Sequence, residues 1–252
     1  MKAAAWCAIG LLCASVAARA QVPDSGRWQA FSFGSDEVNL QTEDRYIDQV
    51  VALAAAGRLD DDRVLLARVR AVAAGLIRAA VALKPAAAQW QWELHTTSDP
   101  EVEALCMAGG KILVGSAFVR KLALSDGELA TLLGHEVAHA LAEHHRETLS
   151  EALSIHPLPA APLEVVMERL ETDLSVQLRL AKLASMQESE ADQLGMVLAH
   201  QAGWPAGAMV SFYRKLAAQD AARGAQGALV SSHPAPSSRL SMAQGMAKLF
   251  GR

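Results

Sequence analysis

A six-residue stretch, GHEVAH at 134–139, constrains this chain most, because it is an HExxH pattern inside an apolar run. Residues four apart on an α-helix lie on one face, so His135 and His139 can bind one metal ion together. Glu136 lies beside that face, where its carboxylate can reach a water on the metal rather than the metal itself. The pattern therefore predicts two metal ligands and a general base.

The flanking sequence predicts that these histidines lie on a helix. Ser125 and Glu128 have the spacing of a capping box, in which a hydroxyl and a carboxylate accept hydrogen bonds from the first free amides. Apolar residues then recur at helical spacing, at Leu129, Leu132, Leu133, Val137 and Leu141. We expect a rigid, half-buried helix, and the alternative is a chance match with two incidental histidines.

The amino terminus predicts a secretory signal peptide at 1–20. Lys2 precedes an apolar run over 3–18, and Ala-Arg-Ala at 18–20 has the small-x-small form of a cleavage site. The run is shorter than the roughly 20 residues that a membrane-spanning helix needs, which argues against an uncleaved anchor. We expect cleavage after Ala20 and a periplasmic mature protein.

Composition restricts the function classes. The chain has 252 residues and a net charge of −4, without a basic stripe, so nucleic acid is not an expected partner. Residues 21–252 should form one domain, with an N-terminal helical part at 21–85 and a catalytic core at 86–252. Of the three cysteines only Cys106 lies beyond the signal, so no internal disulfide is expected, and we interpret Cys106 as a buried apolar side chain.

Hydrophobic spacing predicts the elements around the HExxH helix. Two helices at 43–57 and 60–83 are expected to pack as a hairpin, and β-prone runs at 89–97, 102–107 and 111–119 predict a small sheet. After the HExxH helix, His144 and His145 are expected to point elsewhere, as parts of a polar helix end. The proline-rich stretch at 155–162 is either a mobile loop over the cleft or an inert connector.

A helical pattern at 163–184 leads into a second pair of candidate ligands. Glu188 and Asp192 are four residues apart and share a helix face. A catalytic zinc site with two histidines needs a third protein ligand, and a carboxylate on another helix is a standard supplier. One of these acids can bind the metal, and the other can hydrogen-bond a ligand histidine.

With HEVAH at 135–139 and ESEAD at 188–192, the chain resembles the zinc metallopeptidase family that includes HtpX, the CAAX prenyl endopeptidases and the periplasmic BepA and LoiP proteases. The similarity continues through AGWP at 202–205 and SHPAPSSRL at 232–240, and it covers about residue 101 to the end. The chain departs from the family at three positions, Glu103, Ser185 and Gln193. These put the substrate preference in doubt, but they remove neither a ligand nor the base.

The resemblance implies an α+β, mostly helical fold, a zincin-like (gluzincin) peptidase domain with a small sheet packed on the HExxH helix. It implies that an edge strand, at about 111–119, receives the substrate as an added strand. It also implies specific roles for six residues, with His135, His139 and Glu188 as zinc ligands, Glu136 as general base, Asp192 as the residue that orients a ligand, and His233 beside the zinc. His233 could stabilise the oxyanion or close the open site as an inhibitory ligand, and the alternative is a turn histidine before proline.

The expected function is that of an exported zinc-dependent endopeptidase with one zinc ion per chain. The resemblance suggests unfolded or misassembled envelope proteins as substrates, and a peripheral contact with a membrane or with outer-membrane assembly machinery. The alternative is a chaperone-like protein that binds through the same zinc cleft without cleaving. A purely structural zinc site is disfavoured, because such sites usually use four cysteine or histidine ligands.

Overall fold

The computed structural model of the protein describes residues 18–23, 25–155, 157, 161–223 and 236–251. The strands are β1 (Ala18–Gln21), β2 (Trp28–Phe31), β3 (Glu93–Thr97), β4 (Ala104–Met107) and β5 (Lys111–Gly115). The helices are α1 (Ser35–Ala55), α2 (Arg63–Leu83), α3 (Ser116–Lys121), α4 (Asp126–Leu141), α5 (His144–Ile155), α6 (Leu163–Thr172), α7 (Leu174–Gln201), α8 (Ala206–Arg223) and α9 (Pro236–Phe250), with a 3-10 helix at Pro85–Gln89. This composition confirms the predicted α+β, mostly helical fold class with small sheets.

The HExxH helix, α4, forms as the capping pattern predicts. The Ser125 hydroxyl accepts a hydrogen bond from the Glu128 amide, and the Glu128 carboxylate accepts one from the Ser125 amide at 2.7 Å. Instead of being half buried, α4 is buried along nearly its whole length, because α2, α7, α8 and β4 all pack on it. The HExxH pattern therefore lies in the principal core, among leucines such as Leu129 and Leu133.

The sheet next to α4 has the strand order β3-β5-β4. β5 runs parallel to β3, with Glu93 opposite Lys111, and antiparallel to β4, with Ala104 opposite Val114. The expectation that the strand at 111–119 is the edge strand is therefore wrong. β5 pairs on both sides and all its residues are buried, as is typical of an apolar central strand, and the chain from Ser116 onward is helical. The strand edge beside α4 belongs to β4.

The two early helices form, but they do not pack as the expected hairpin. α2 directs Val69, Val72 and Leu76 into the core that it shares with α4. α1 instead lies over the sheet, where Tyr46 and Leu53 pack with Leu113. The expected division at residue 85 stays a prediction, although α2 shares its core with the later elements.

Strand β1 pairs with β2 in antiparallel register, from Ala18 opposite Phe31 to Gln21 opposite Trp28. Cleavage after Ala20 would remove three of the four residues of β1, and residues 1–17 lie outside the described part of the chain. Among the described residues, no helix is both long enough and apolar enough to cross a membrane.

Candidate metal centre

The centre lies where α4 crosses α7, with backbone in contact with backbone at Gly134 and Gly195. At this crossing, the histidines of α4 face the acidic residues of α7. The long helical pattern expected from residue 163 is interrupted at Asp173, whose side chain caps α7 by accepting from the Ser175 amide. α7 therefore starts as a separate helix and can align Glu188 with the α4 histidines.

Three side chains of these helices converge. The Nε2 atoms of His135 and His139 are 3.2 Å apart. The Glu188 carboxylate places Oε2 at 3.5 Å from His135 Nε2 and Oε1 at 3.4 Å from His139 Nε2. One donor atom from each residue lies within 4.8 Å of the others. Two imidazoles and one carboxylate are a ligand set that suits zinc and leaves a fourth position open, so the residues present fit a catalytic zinc ion.

Asp192 lies behind His135. Its Oδ1 atom is 2.9 Å from His135 Nδ1 and accepts a hydrogen bond from the Tyr213 hydroxyl at 2.9 Å. Arg239 donates to both oxygens, at 2.8 and 2.6 Å. Burial alone would raise the pKa of the Asp192 carboxyl, but the hydrogen bonds from His135 and Arg239 outweigh burial and lower the pKa to about 2. Asp192 is therefore an anion that orients His135.

The pKa values of the two candidate ligand histidines are shifted in opposite directions. Burial lowers the pKa of His139. Burial also acts to lower the pKa of His135, but the carboxylates of Asp192 and Glu188 outweigh it, so that pKa is raised. Because the two Nε2 atoms are only 3.2 Å apart, both rings cannot be protonated together. Two imidazole nitrogens and a carboxylate therefore face one another at short range.

His144 packs against His139, which corrects the expectation that it points away. Its Nδ1 is 3.0 Å from His139 Nδ1, and its Nε2 is 3.3 Å from Glu190 Oε2. The cause is a chain reversal after α4, where Glu143 has a positive φ of 52° and α5 begins anew at His144. Helical spacing extrapolated through this break put His144 on the wrong face.

A guanidinium from the N-terminal segment joins this arrangement. Arg27 donates to Glu190 at 2.7 and 2.8 Å, and to Glu147 at 2.5 and 2.8 Å. Burial acts to raise the pKa of Glu190, but the bonds from His144 and Arg27 lower it to about 2. Sequence reasoning assigned no role to Arg27, Glu147 or Glu190, because no local pattern links residues that are more than a hundred positions apart.

A cavity of about 510 Å³ opens over the three converging side chains. Glu136 is half buried and lines it, together with β4, Trp90 and Met167. Cys106 contributes to this wall as a buried free cysteine, which confirms the interpretation made from the sequence. Burial raises the pKa of its thiol, which disfavours the nucleophilic thiolate form.

Two predicted features fall wholly or partly outside the described residues. His233 lies in the segment 224–235, outside the described residues. Of the proline-rich stretch at 155–162, residues 156 and 158–160 also lie outside the described residues. Arg239, six residues after His233, is described and is the residue buried against Asp192.

The chain is similar to known proteins. Residues 66–247 match the model of the family described as Peptidase family M48. The chain is 32% identical to the mitochondrial metalloendopeptidase OMA1 of Arabidopsis thaliana over 148 residues, which is 59% of this chain and 30% of that protein. The OMA1 of Schizosaccharomyces pombe is 29% identical over 158 residues, covering 60% of this chain and 45% of that protein.

A bacterial relative aligns with more of the chain. The β-barrel assembly-enhancing protease of Escherichia coli K12 is 23% identical over 238 residues, which is 90% of this chain and 47% of that protein. The chain thus spans less than half the length of each of these three relatives. These matches confirm the family resemblance that the two motifs indicated.

Proposed function

This chain belongs to peptidase family M48, and from that membership we propose that it is a zinc-dependent endopeptidase. In this proposal His135, His139 and Glu188 hold one zinc ion per chain. The observation that carries it is the convergence of three donor groups within 4.8 Å on the floor of a cavity that Glu136 also lines. A two-histidine, one-carboxylate set leaves a coordination position open for water or substrate, which a structural zinc site does not.

Glu136 acts as the general base. A bound zinc ion would polarise the scissile carbonyl and lower the pKa of a water from about 15.7 to near 7. Glu136 takes the proton of the attacking water and later passes it to the leaving amine, as a base and then an acid. Its half-buried position in the cavity wall keeps its carboxylate within the space that substrate enters.

Asp192 sets the tautomer of His135. With its anionic oxygen 2.9 Å from His135 Nδ1, it favours the proton on that nitrogen and leaves the Nε2 lone pair for the metal. The buried hydrogen bonds from Tyr213 and Arg239 hold Asp192 in place. Asp192 is thus a positioning residue rather than a ligand.

We assign the substrate-binding edge to β4 instead of β5. The Gly115 amide donates to the Glu103 carbonyl at 2.8 Å, which fixes the alternation of hydrogen bonds between β4 and β5. Along an antiparallel strand, residues whose backbone groups bond to the neighbouring strand alternate with residues whose backbone groups point away from it. Since Glu103 bonds to β5, the backbone groups of Ala104 and Cys106 point away from β5. A peptide added beside them would run along the cavity.

His233 is proposed to act beside the zinc ion, either on the oxyanion or as a closing ligand. The family pattern HP…R at 233–239 supports the assignment, and Arg239 of that pattern lies on Asp192. The variant His233→Ala separates the roles, because an inhibitory ligand predicts increased cleavage and an oxyanion donor predicts its loss. A turn histidine predicts wild-type cleavage and zinc affinity.

The biological setting is also a proposal. Export to the periplasm with cleavage after Ala20 rests on the pattern of 1–20, and substrates among unfolded or misassembled envelope proteins are consistent with a relative named for β-barrel assembly. A peripheral contact with a membrane or outer-membrane assembly machinery has the same support. The OMA1 relatives are named mitochondrial, so the setting differs between family members.

The test is cleavage of casein, an unfolded model protein, by the wild-type chain, with zinc content measured in parallel. Glu136→Gln should keep one zinc per chain and lose cleavage, whereas His135→Ala should lose both. Cleavage at the wild-type rate by Glu136→Gln would contradict the proposal. Zinc binding without cleavage by the wild type and by His233→Ala would favour the chaperone-like alternative.

A further inference from the structure

A chain of contacts leads from the protein surface to the back of His139, on the side opposite the proposed zinc ion. His139 turns Nε2 toward His135 and Glu188, and Nδ1 toward His144 Nδ1 at 3.0 Å. His144 is 2% exposed and turns Nε2 toward Glu190 Oε2 at 3.3 Å. The ring of His144 therefore lies between a candidate ligand and a carboxylate.

Hydrogen-bonding rules fix the protons in this arrangement. If Nε2 of neutral His139 offers its lone pair to a metal, its proton must be on Nδ1. His144 Nδ1 must then accept that proton's hydrogen bond, so the proton of neutral His144 is on Nε2, facing the carboxylate of Glu190. Only one assignment of tautomers satisfies both contacts.

The surroundings hold His144 firmly. Gln187 donates to the His144 carbonyl at 3.1 Å, which ties the start of α5 to α7. Arg27 contacts Glu190 through two nitrogens and thereby fixes the carboxylate that faces His144. Glu147 takes the other side of the guanidinium, so Arg27 keeps an anionic partner even without Glu190.

We propose that His144 is a positioning residue for zinc, which accepts from His139 Nδ1–H and is oriented by Glu190, with Arg27 as the outer anchor. It does for His139 what Asp192 does for His135. The proposal rests on the proposed zinc endopeptidase function and deepens it, since it makes a residue outside the HExxH and ESEAD motifs part of the metal site. It further makes the segment between β1 and β2 part of the support of that site.

The test is the dissociation constant of Zn²⁺ for the full chain, measured by competition with a chromophoric chelator. His144→Leu removes the acceptor and should weaken zinc binding about 10- to 100-fold, the range found when partners behind metal ligands are removed. His144→Asn places an amide oxygen near the position of Nδ1 and should restore binding to within about threefold of wild type. The control His200→Ala changes an exposed histidine that stacks on Phe250, and it should bind zinc as the wild type does.

Two further measurements separate positioning from loss of folding. The melting temperature of each zinc-free variant reports the fold, and the visible absorption of the Co²⁺-loaded protein reports ligand geometry, which should change in His144→Leu and not in His200→Ala. If His144→Leu does not fold, Glu190→Leu replaces it, because Arg27 retains Glu147; this variant should weaken zinc binding about 3- to 10-fold, less than loss of a direct partner does.

The outcomes distinguish this proposal from the function on which it rests. Wild-type zinc affinity in folded His144→Leu, or in Glu190→Leu in its place, would overturn the positioning role alone. Equal loss in His144→Asn and His144→Leu would overturn it too, since packing and not the acceptor would then matter. A wild-type chain that binds no zinc would overturn the proposed function together with the positioning role.

Discussion

Gly134 and Gly195 bring the backbones of α4 and α7 into direct contact. A Cβ atom on Gly134 would lie 2.6 Å from the Gly195 carbonyl oxygen, and one on Gly195 would lie 2.6 Å from the His135 amide nitrogen. Neither distance is possible without a shift of one helix. Since Gly134 precedes His135 and Gly195 lies two helical turns after Glu188, the spacing of the proposed zinc ligands depends on this contact.

We therefore predict that Gly134→Ala damages both stability and metal binding. The added methyl meets backbone, which cannot move aside as a flexible side chain would, and overpacking of this kind costs about 1–3 kcal/mol. Separation of the helices would also move Glu188 away from the histidines. Chemical denaturation and zinc titration of the variant measure the two effects.

Gly245→Ala is the matched control. Gly245 lies within α9, and a Cβ atom there meets nothing within 4 Å. Because alanine favours a helix over glycine, the control should gain about 0.5–1 kcal/mol in unfolding free energy and keep zinc affinity. Similar behaviour of the two variants would refute the role assigned to the crossing.

Replacement of Asp192 by asparagine should weaken zinc binding and destabilise the fold. Arg239 is 8% exposed and would lose its anionic partner, and breaking one side of a buried ion pair costs about 3 kcal/mol or more. Zinc affinity should fall about 10- to 100-fold, as for other partners of metal-bound histidines. Calorimetry of the zinc-free protein and competition titration report the two losses separately.

The control for that change is Tyr213→Phe, which removes only one hydrogen bond to Asp192. It should lower the free energy of unfolding by about 1 kcal/mol and leave the ion pair between Asp192 and Arg239 intact. An Asp192→Asn variant with the zinc affinity of Tyr213→Phe would mean that Asp192 does not orient His135.

Glu128 should make the stability of the protein pH-dependent. It is buried at the start of α4 and accepts from Ser125, Ser211 and Lys215, each at 2.7 Å. Burial acts to raise its pKa, but these bonds outweigh it and lower the pKa from 4.5 to about 2. The charged form is thus favoured in the folded state, so its contribution is complete well above pH 4.5 and is lost as the pH falls toward 2.

The variant Glu128→Gln tests this sign. It should be less stable than wild type by about 1–2 kcal/mol at neutral pH, since it loses the cap charge and the Lys215 ion pair. Below about pH 5 the difference should shrink progressively. Urea denaturation at a series of pH values measures it, and a difference that stays constant down to pH 3 would contradict the assignment.

The local parts of this structure were predictable from the sequence. Capping chemistry and apolar spacing predicted α4, and the four-residue spacing in each motif correctly placed His135 with His139, and Glu188 with Asp192, on shared helix faces. These inferences succeed because each depends on residues within one or two helical turns.

Relationships between distant segments were not predictable in this way. A single left-handed residue, Glu143, redirects the chain and reverses the expectation for His144. The strand order of the sheet also depends on pairing across the chain, so the edge strand that the resemblance implied at about 111–119 is in fact the central strand β5. Arg27 contacts residues more than a hundred positions away, a link that no periodicity encodes.

The assignment of β4 as the substrate edge predicts that Ala104→Pro impairs cleavage selectively. Proline removes the Ala104 N–H, which faces away from β5. The hydrogen bonds between β4 and β5 are made by the residues on either side of Ala104, so the edge strand β4 can accept a proline at this position. We expect the specificity constant kcat/KM on casein to fall at least about tenfold, because the variant cannot form one hydrogen bond between uncharged backbone groups of enzyme and substrate. Zinc content should not change.

Ala104→Val is the companion variant, because it adds bulk at the same position but keeps the amide. It should retain most of the cleavage lost in Ala104→Pro, and both zinc-free variants should melt within a few degrees of wild type. If both variants lose cleavage equally, side-chain crowding in the cavity explains the loss. If neither loses it, peptide substrates do not pair with the Ala104 amide, and the edge assigned to β4 is wrong.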